Sequence, residues 1–156
     1  MMYSMRRKDR EQDEDFALAV VDQCTYSVMA TVDQDGSPYC IPISPAREGK
    51  WLFFHSAQEG HKIDNLRQRN KVCISCVGEQ EAIPGKFALK YKSTVIFGAV
   101  TEVTEREEKI RAMNLICKRY TPGNMAAFDT YIEKQLDATS VWKIHMDEIS
   151  GKARLG

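Results

Sequence analysis

The spacing of hydrophobic and polar positions changes period several times along this 156-residue chain, and each change marks an element. Residues 6–15 are almost all charged, basic ones first, and lead into Phe16, Leu18, Ala19, Val20 and Val21. That pattern predicts an exposed arm, a solvated face or a docking arm for a second subunit, running into a helix that ends near Cys24. Residues 26–32 read Tyr-Ser-Val-Met-Ala-Thr-Val, a run suited to a strand, and Asp33-Gln34-Asp35-Gly36 follows as a turn. Residues 39–44 and 51–55 predict two more strands around a Glu48-Gly49-Lys50 turn, and the three strands together read as an antiparallel meander. Pro42 cannot donate to a ladder, so it marks an edge, a bulge or a barrel rim.

Further on, a short helix is predicted over 60–69, with Ile63 and Leu66 facing inward, then a strand over 71–77. Residues 78–90 contain Pro84 and Gly85 and read as a loop long enough to lie over a site. A long strand over 91–103 holds Gly98 in its interior, which signals a bend or a close approach by another backbone. Helices are predicted over 105–119, ending before Pro122-Gly123, and over 125–136. Residues 140–149 alternate as a last strand, with Val141, Lys143, His145 and Asp147 on one side. Six strands with helices at the ends and between them predict a mainly β fold with flanking helices, a closed or partly closed antiparallel barrel. One domain over 1–156 is expected: arm and helix 1–24, barrel strands 25–103, helical insert 104–138 and last strand 139–150.

Charge narrows the function. Lys and Arg total 22, as do Asp and Glu, so the net charge is zero and neither nucleic acid nor an anionic membrane is an expected partner. Anion binding must then be local. No apolar stretch approaches a bilayer span, and the opening residues lack the apolar core of a secretory signal, so a cytoplasmic protein is expected. The five cysteines (Cys24, Cys40, Cys73, Cys76, Cys117) show no framework spacing. Cys73 and Cys76 are three apart on a predicted strand, so they point to opposite faces, which argues against a zinc grip or a redox dithiol.

The chemistry concentrates at 51–66. An apolar run ends in His55-Ser56-Ala57-Gln58-Glu59-Gly60-His61-Lys62, where a helix begins. Unpaired N–H groups and the positive end of the dipole at a helix start attract phosphate, and Lys62 adds a full charge. Ser56, His55 and His61 stand beside it, with Lys92 and Ser93 as partners from the fifth strand. A second constellation is the backbone of Cys40, Ile41, Pro42, Ile43 and Ser44, whose broken ladder frees N–H and C=O groups to read a flat ring such as a flavin. His55 and His61 lack a third ligand, so no metal site is expected. His145 reads as structural, Met113, Met125 and Met146 as filler, and Trp51 as packing on the barrel.

Several motifs stand together in order: Met5-Arg-Arg-Lys-Asp-Arg10, Pro38-Tyr39-x-x-Pro42, Phe54-His55-Ser56-Ala57-x-Glu59-Gly60-His61-Lys62-Ile63-Asp64, Lys71-Val72-Cys73, Tyr91-x-Ser93-x-x-x-x-Gly98 and Ile149-Ser-Gly-Lys152. With them the chain resembles the FMN-binding split-barrel family related to pyridoxamine 5′-phosphate oxidase, and within it the 5-nitroimidazole-resistance (Nim-like) proteins. The resemblance implies a six-stranded Greek-key split barrel and a homodimer with FMN at the subunit interface. It implies that Lys62 and Ser93 hold the phosphate with His61 and Ser56 beside them. The backbone from Cys40 to Ser44 would face the isoalloxazine, His55 the ring or ribityl chain, and Trp142 would form a wall from the second subunit. The activity implied is electron transfer from a reduced donor through FMN to a small acceptor such as a nitroaromatic. A non-catalytic flavin- or haem-binding barrel is the alternative. The chain reads Ala153-Arg154-Leu155-Gly156 where the oxidases proper carry Arg-Leu-x-Pro, which points away from oxidation of pyridoxamine 5′-phosphate.

Overall fold

Asp13 begins the first helix: its carboxylate accepts the Phe16 N–H at 2.8 Å, satisfying one of the free amides of α1, Glu14–Gln23. The computed structural model describes residues 3–156, so Met1 and Met2, the head of the expected arm, lie outside the described residues. Ahead of α1 the arm forms a 3-10 turn, Lys8–Arg10, and the short strand β1, Glu11–Gln12. Its charges pair locally, Arg7 with Asp9 and Lys8 with Glu11.

The six expected strands are present as β2 (Ser27–Val32), β3 (Pro38–Ile43), β5 (Trp51–Ser56), β6 (Lys71–Val77), β8 (Leu89–Val103) and β9 (Ser140–Arg154). Two short strands join them, β4 (Ala46–Glu48) before β5 and β7 (Glu81–Ala82) inside the expected loop. The main sheet runs β3-β2-β6-β8-β9-β5-β4, with β1 added on β9, and every pair is antiparallel. Its end strands β3 and β4 do not pair, so the barrel is split rather than closed. The expected meander is corrected here: β3 pairs with β2 alone, and β5 lies across the barrel beside β9 and β4. Pro42 and Pro45 bracket the corner, and without their N–H groups the chain leaves one edge and restarts on the other. Arg119 and the Tyr120 hydroxyl donate to the Pro45 carbonyl at 2.6 and 2.7 Å, pinning that corner.

Two apolar clusters flank the sheet. Inside the barrel, Met29, Leu52, Phe54, Ile74, Ile96 and Ile144 pack with Val20 and Val21 of α1. On the other side, Phe53, Val103 and Val141 meet α3 (Arg106–Tyr120) and α4 (Phe128–Gln135) through Met113, Ile116, Phe128 and Ile132. The helix expected over 125–136 is broken: 3-10 turns at Pro122–Ala127 and Leu136–Ala138 surround α4. Gly98 sits at a bulge in β8, where a Cβ would stand 2.0 Å from the His145 carbonyl oxygen. Cys76 is buried and Cys73 only partly so, on the opposite face. That outer face also carries Val28, Ala30, Cys40, Pro42 and Phe97, apolar positions left half-covered or exposed. Among the described residues, no helix is long and apolar enough to cross a membrane.

Candidate functional site

Gly60 opens α2, His61–Gln68, with φ +137°, a conformation that suits glycine and brings the chain sharply into the helix. Among the described residues no side chain caps this start, and the first amide with a partner is Asp64 N–H, which reaches the Gly60 carbonyl at 3.0 Å. Lys62 is half-buried there. Among the described residues its ammonium has no hydrogen-bond or ion-pair partner, and burial pulls its pKa below the ordinary lysine value.

His61 is engaged differently. Its Nε2 lies 2.7 Å from Asp33 Oδ1, and its ring stacks on Tyr39 with centroids 3.8 Å apart. Asn65, also on α2, donates to the same Asp33 oxygen at 2.7 Å and to Thr31 Oγ1 at 3.0 Å, and Thr31 donates to the Tyr39 carbonyl at 3.1 Å. The Asn65 amide and His61 hold the Asp33 carboxyl below the usual carboxylate range. This network ties the helix start to the head of β3. Asp33 and Asn65 were legible only as a turn residue and a helix residue; 32 positions separate them, and no local pattern links them.

His55, next to last in β5, lies on the side facing α3 and α4, as Phe53 does, while Ser56 ends the strand and turns toward the barrel. Desolvation by the surrounding walls, and then the Lys62 charge, lower the His55 pKa, so the ring is neutral near neutral pH. The Ser56 carbonyl accepts from Ser140 at 3.1 Å. A cleft of about 590 Å³ opens beside His55, bounded by Ser44, Ile116, Tyr120, Asn124, Phe128 and Tyr131. Burial raises the Tyr120 pKa to about 12, so its hydroxyl remains a donor.

The strand expected to read a ring is an edge. Cys40, Pro42 and Ser44 are exposed, Ile41 is half-buried and Ile43 enters the barrel core; among the described residues no strand lies on the side of β3 away from β2. Lys62, His55, Ser44 and this edge therefore border one region. Ser93 does not join them within the chain. It faces Val77 on β6, whereas α2 sits at the Lys71 end, where Asn70 accepts from Val100 at 2.8 Å. Six rungs at ~3.3 Å each put the two ends about 20 Å apart. Ser93 donates weakly to the Lys152 carbonyl at 3.5 Å, and the Lys92 carbonyl accepts from Gly78. Trp142 is corrected: only 3% exposed, it lies in the barrel core with its indole N–H on Ser140 Oγ at 3.0 Å, so it has no free face to offer as a wall. Among the described residues no group of three His, Cys, Asp or Glu side chains converges for a metal.

The model of the family described as pyridoxamine 5′-phosphate oxidase matches residues 13–153. A solved candidate 5-nitroimidazole antibiotic resistance protein of Bacteroides thetaiotaomicron is 22% identical, with TM-score 0.75 over 97% of this chain and 96% of that one. A flavocytochrome of Azotobacter vinelandii is 19% identical, with TM-score 0.82 over 99% of this chain and 73% of that one. An FAD- and haem-binding protein of Mycobacterium smegmatis is 20% identical, with TM-score 0.81 over 94% and 74%. These likenesses establish the shared split-barrel fold. No curated protein sequence matches the chain.

Proposed function

This chain belongs to the pyridoxamine 5′-phosphate oxidase family, and from that premise we propose that it is an FMN-binding flavoprotein that passes electrons to a small acceptor such as a nitroaromatic. The observation that carries the reading is the start of α2, uncapped and with Lys62 unpartnered among the described residues, next to the edge of β3. Phosphate suits the first, since free amides and an ammonium both favour a dianion. A flat heteroaromatic suits the second, since edge N–H and C=O groups need partners. When bound, FMN supplies two-electron transfer from a reduced donor to the acceptor.

The chain's own residues bind and orient. Lys62 and the first amides of α2 hold the phosphate, and Ser56 lies close by. His61 stays on Asp33 and steadies the helix start, its remaining ring nitrogen turned to the ligand. The backbone from Cys40 to Ser44 faces the ring, and neutral His55 stands between ring and phosphate without adding charge. Lys92 and Ser93 come from a second copy of the chain. The half-covered apolar face around Ala30, Pro42 and Phe97 supports such a homodimer, since burying it removes apolar surface from water. The protein works in the cytoplasm on this reading.

The absorbance spectrum of protein purified with added FMN tests the proposal. A bound flavin doublet that bleaches on reduction and returns in air is expected, together with a dimeric mass in light scattering. A Soret band instead would assign the protein to haem, and no bound chromophore at all would end the reading.

A further inference from the structure

The cleft beside His55 adjoins the phosphate and ring contacts just proposed and extends away from them. It is bounded by α3, the Pro122–Ala127 turn and α4, and Ser44 and His55 belong to both regions. Resting on the flavin reading, we infer that this cleft is the acceptor pocket, that it takes an uncharged planar aromatic, and that Asn124 and Tyr131 select it by hydrogen bonding.

Three observations converge. None of the side chains lining the cleft carries a permanent charge: His55 is held neutral by desolvation and by Lys62, and burial pushes the Cys117 thiol and the Tyr120 hydroxyl upward, so both keep their protons. An anionic substrate would find no counter-charge among the side chains that line the cleft, and a phosphorylated one would have to leave its phosphate against an apolar wall. Next, the polar atoms that are present are uncommitted: among the described residues, the side chains of Ser44, His55, Asn124 and Tyr131 make no hydrogen bond within the chain. The other hydroxyls of the cleft are already spent, Tyr120 on Pro45 and Thr121 on Cys117. Four neutral donors or acceptors around an apolar floor of Ile116 and Phe128 match a ring with polar substituents. Finally, a volume of about 590 Å³ suits a small aromatic molecule and falls within the usual range of ligand sites. The acceptor would lie against the region bordered by Ser44 and His55, close enough to the β3 edge for transfer from a ring held there.

Binding is the readout, measured on FMN-free and FMN-loaded protein by NMR, with para-nitrobenzamide and para-nitrobenzoate as neutral and anionic probes of one shape. The amide is expected to shift the Asn124, Ala127 and Tyr131 signals in both forms, and the benzoate to bind at least tenfold more weakly. Replacing both selecting groups (Asn124→Leu with Tyr131→Phe) is expected to weaken the amide by about tenfold, the loss of roughly two modest hydrogen bonds, while FMN affinity stays within twofold. Both sites are exposed or at a helix surface, and an unchanged melting curve checks that the variant folds. Equal binding of the two probes, shifts confined to other regions, or amide binding unchanged in the variant would each overturn the inference. Displacement of the amide by FMN would also overturn it, by making the cleft the seat of the flavin ring. Failure of FMN to bind while the amide still occupies the cleft would sink the flavin reading and leave the pocket assignment standing.

Discussion

The ring of His61 lies on that of Tyr39, centroids 3.8 Å apart and planes inclined by 29°. One residue opens α2 and the other follows Pro38 at the head of β3, so the stack joins the proposed phosphate end of the site to the strand that would read the ring. Asp33 completes the clamp from the turn between β2 and β3. Tyr39→Leu removes the stacking and leaves Asp33–His61 exposed to exchange. We expect a loss of ~1 kcal/mol, a fall in Tm of about 2–4 °C, with a narrower effect on secondary structure than on FMN affinity. Thermal melts and flavin titration measure both; an unchanged affinity would detach the clamp from the site.

Lys62→Ala should weaken FMN by ~1.5–3 kcal/mol, the worth of a charge-assisted hydrogen bond, without altering the fold. Flavin fluorescence titration reads this directly, and full affinity in the variant would remove Lys62 from the phosphate.

The same lysine reports on its neighbour. His55 titrates below the ordinary histidine value, from desolvation first and the Lys62 charge second. Proton NMR should show the His55 midpoint rising in Lys62→Met, though not fully to the free value, because desolvation remains. The linkage has a definite sign: the unfolded chain takes up the His55 proton first as pH falls, so this group's contribution favours the fold above the ordinary midpoint and is lost below it.

Gly98→Ala should be severe. A methyl group there would overlap the His145 carbonyl, which is backbone in the heart of the β8–β9 ladder and cannot turn aside. We expect a loss of more than ~3 kcal/mol, or failure to fold, in urea denaturation.

A buried thiol pair lies away from the site. Ser27 Oγ is 3.5 Å from Cys24 Sγ and 3.2 Å from Cys76 Sγ, and Arg119 reaches Cys24 at 3.7 Å. Hydrogen bonding from Cys76, with Ser27 and Arg119 assisting, lowers the Cys24 pKa below the ordinary thiol value, and the same pairing pushes Cys76 upward. The Cys24 thiolate therefore contributes stability that is complete above the ordinary thiol range and lost as pH falls through a midpoint below that range. Ultraviolet thiolate absorbance should show that midpoint and should move up in Cys76→Ala; a titration only in the ordinary range would refute the pairing.

Local features of this protein were readable without coordinates. The six long strands, the start of α2 at Gly60, the edge position of Pro42 and the tight passage at Gly98 all follow from side-chain period, from a missing N–H or from a missing Cβ. Such signals act over a few residues, and the backbone obeys them wherever the strand ends up. The placement of β5 beside β9 rather than β3, the burial of Trp142, the distance between Ser93 and Lys62, and the meeting of Asp33 with Asn65 depended on long-range pairing. Apolar burial and ladder closure choose among partners that look alike along the chain, so those contacts came into being only with the folded barrel. The cleft before Asn124 and Tyr131 belongs to the same class, because its walls come from Ser44 and His55 on one side and from Ile116 and residues beyond it on the other, far apart in sequence, which only close packing brings face to face.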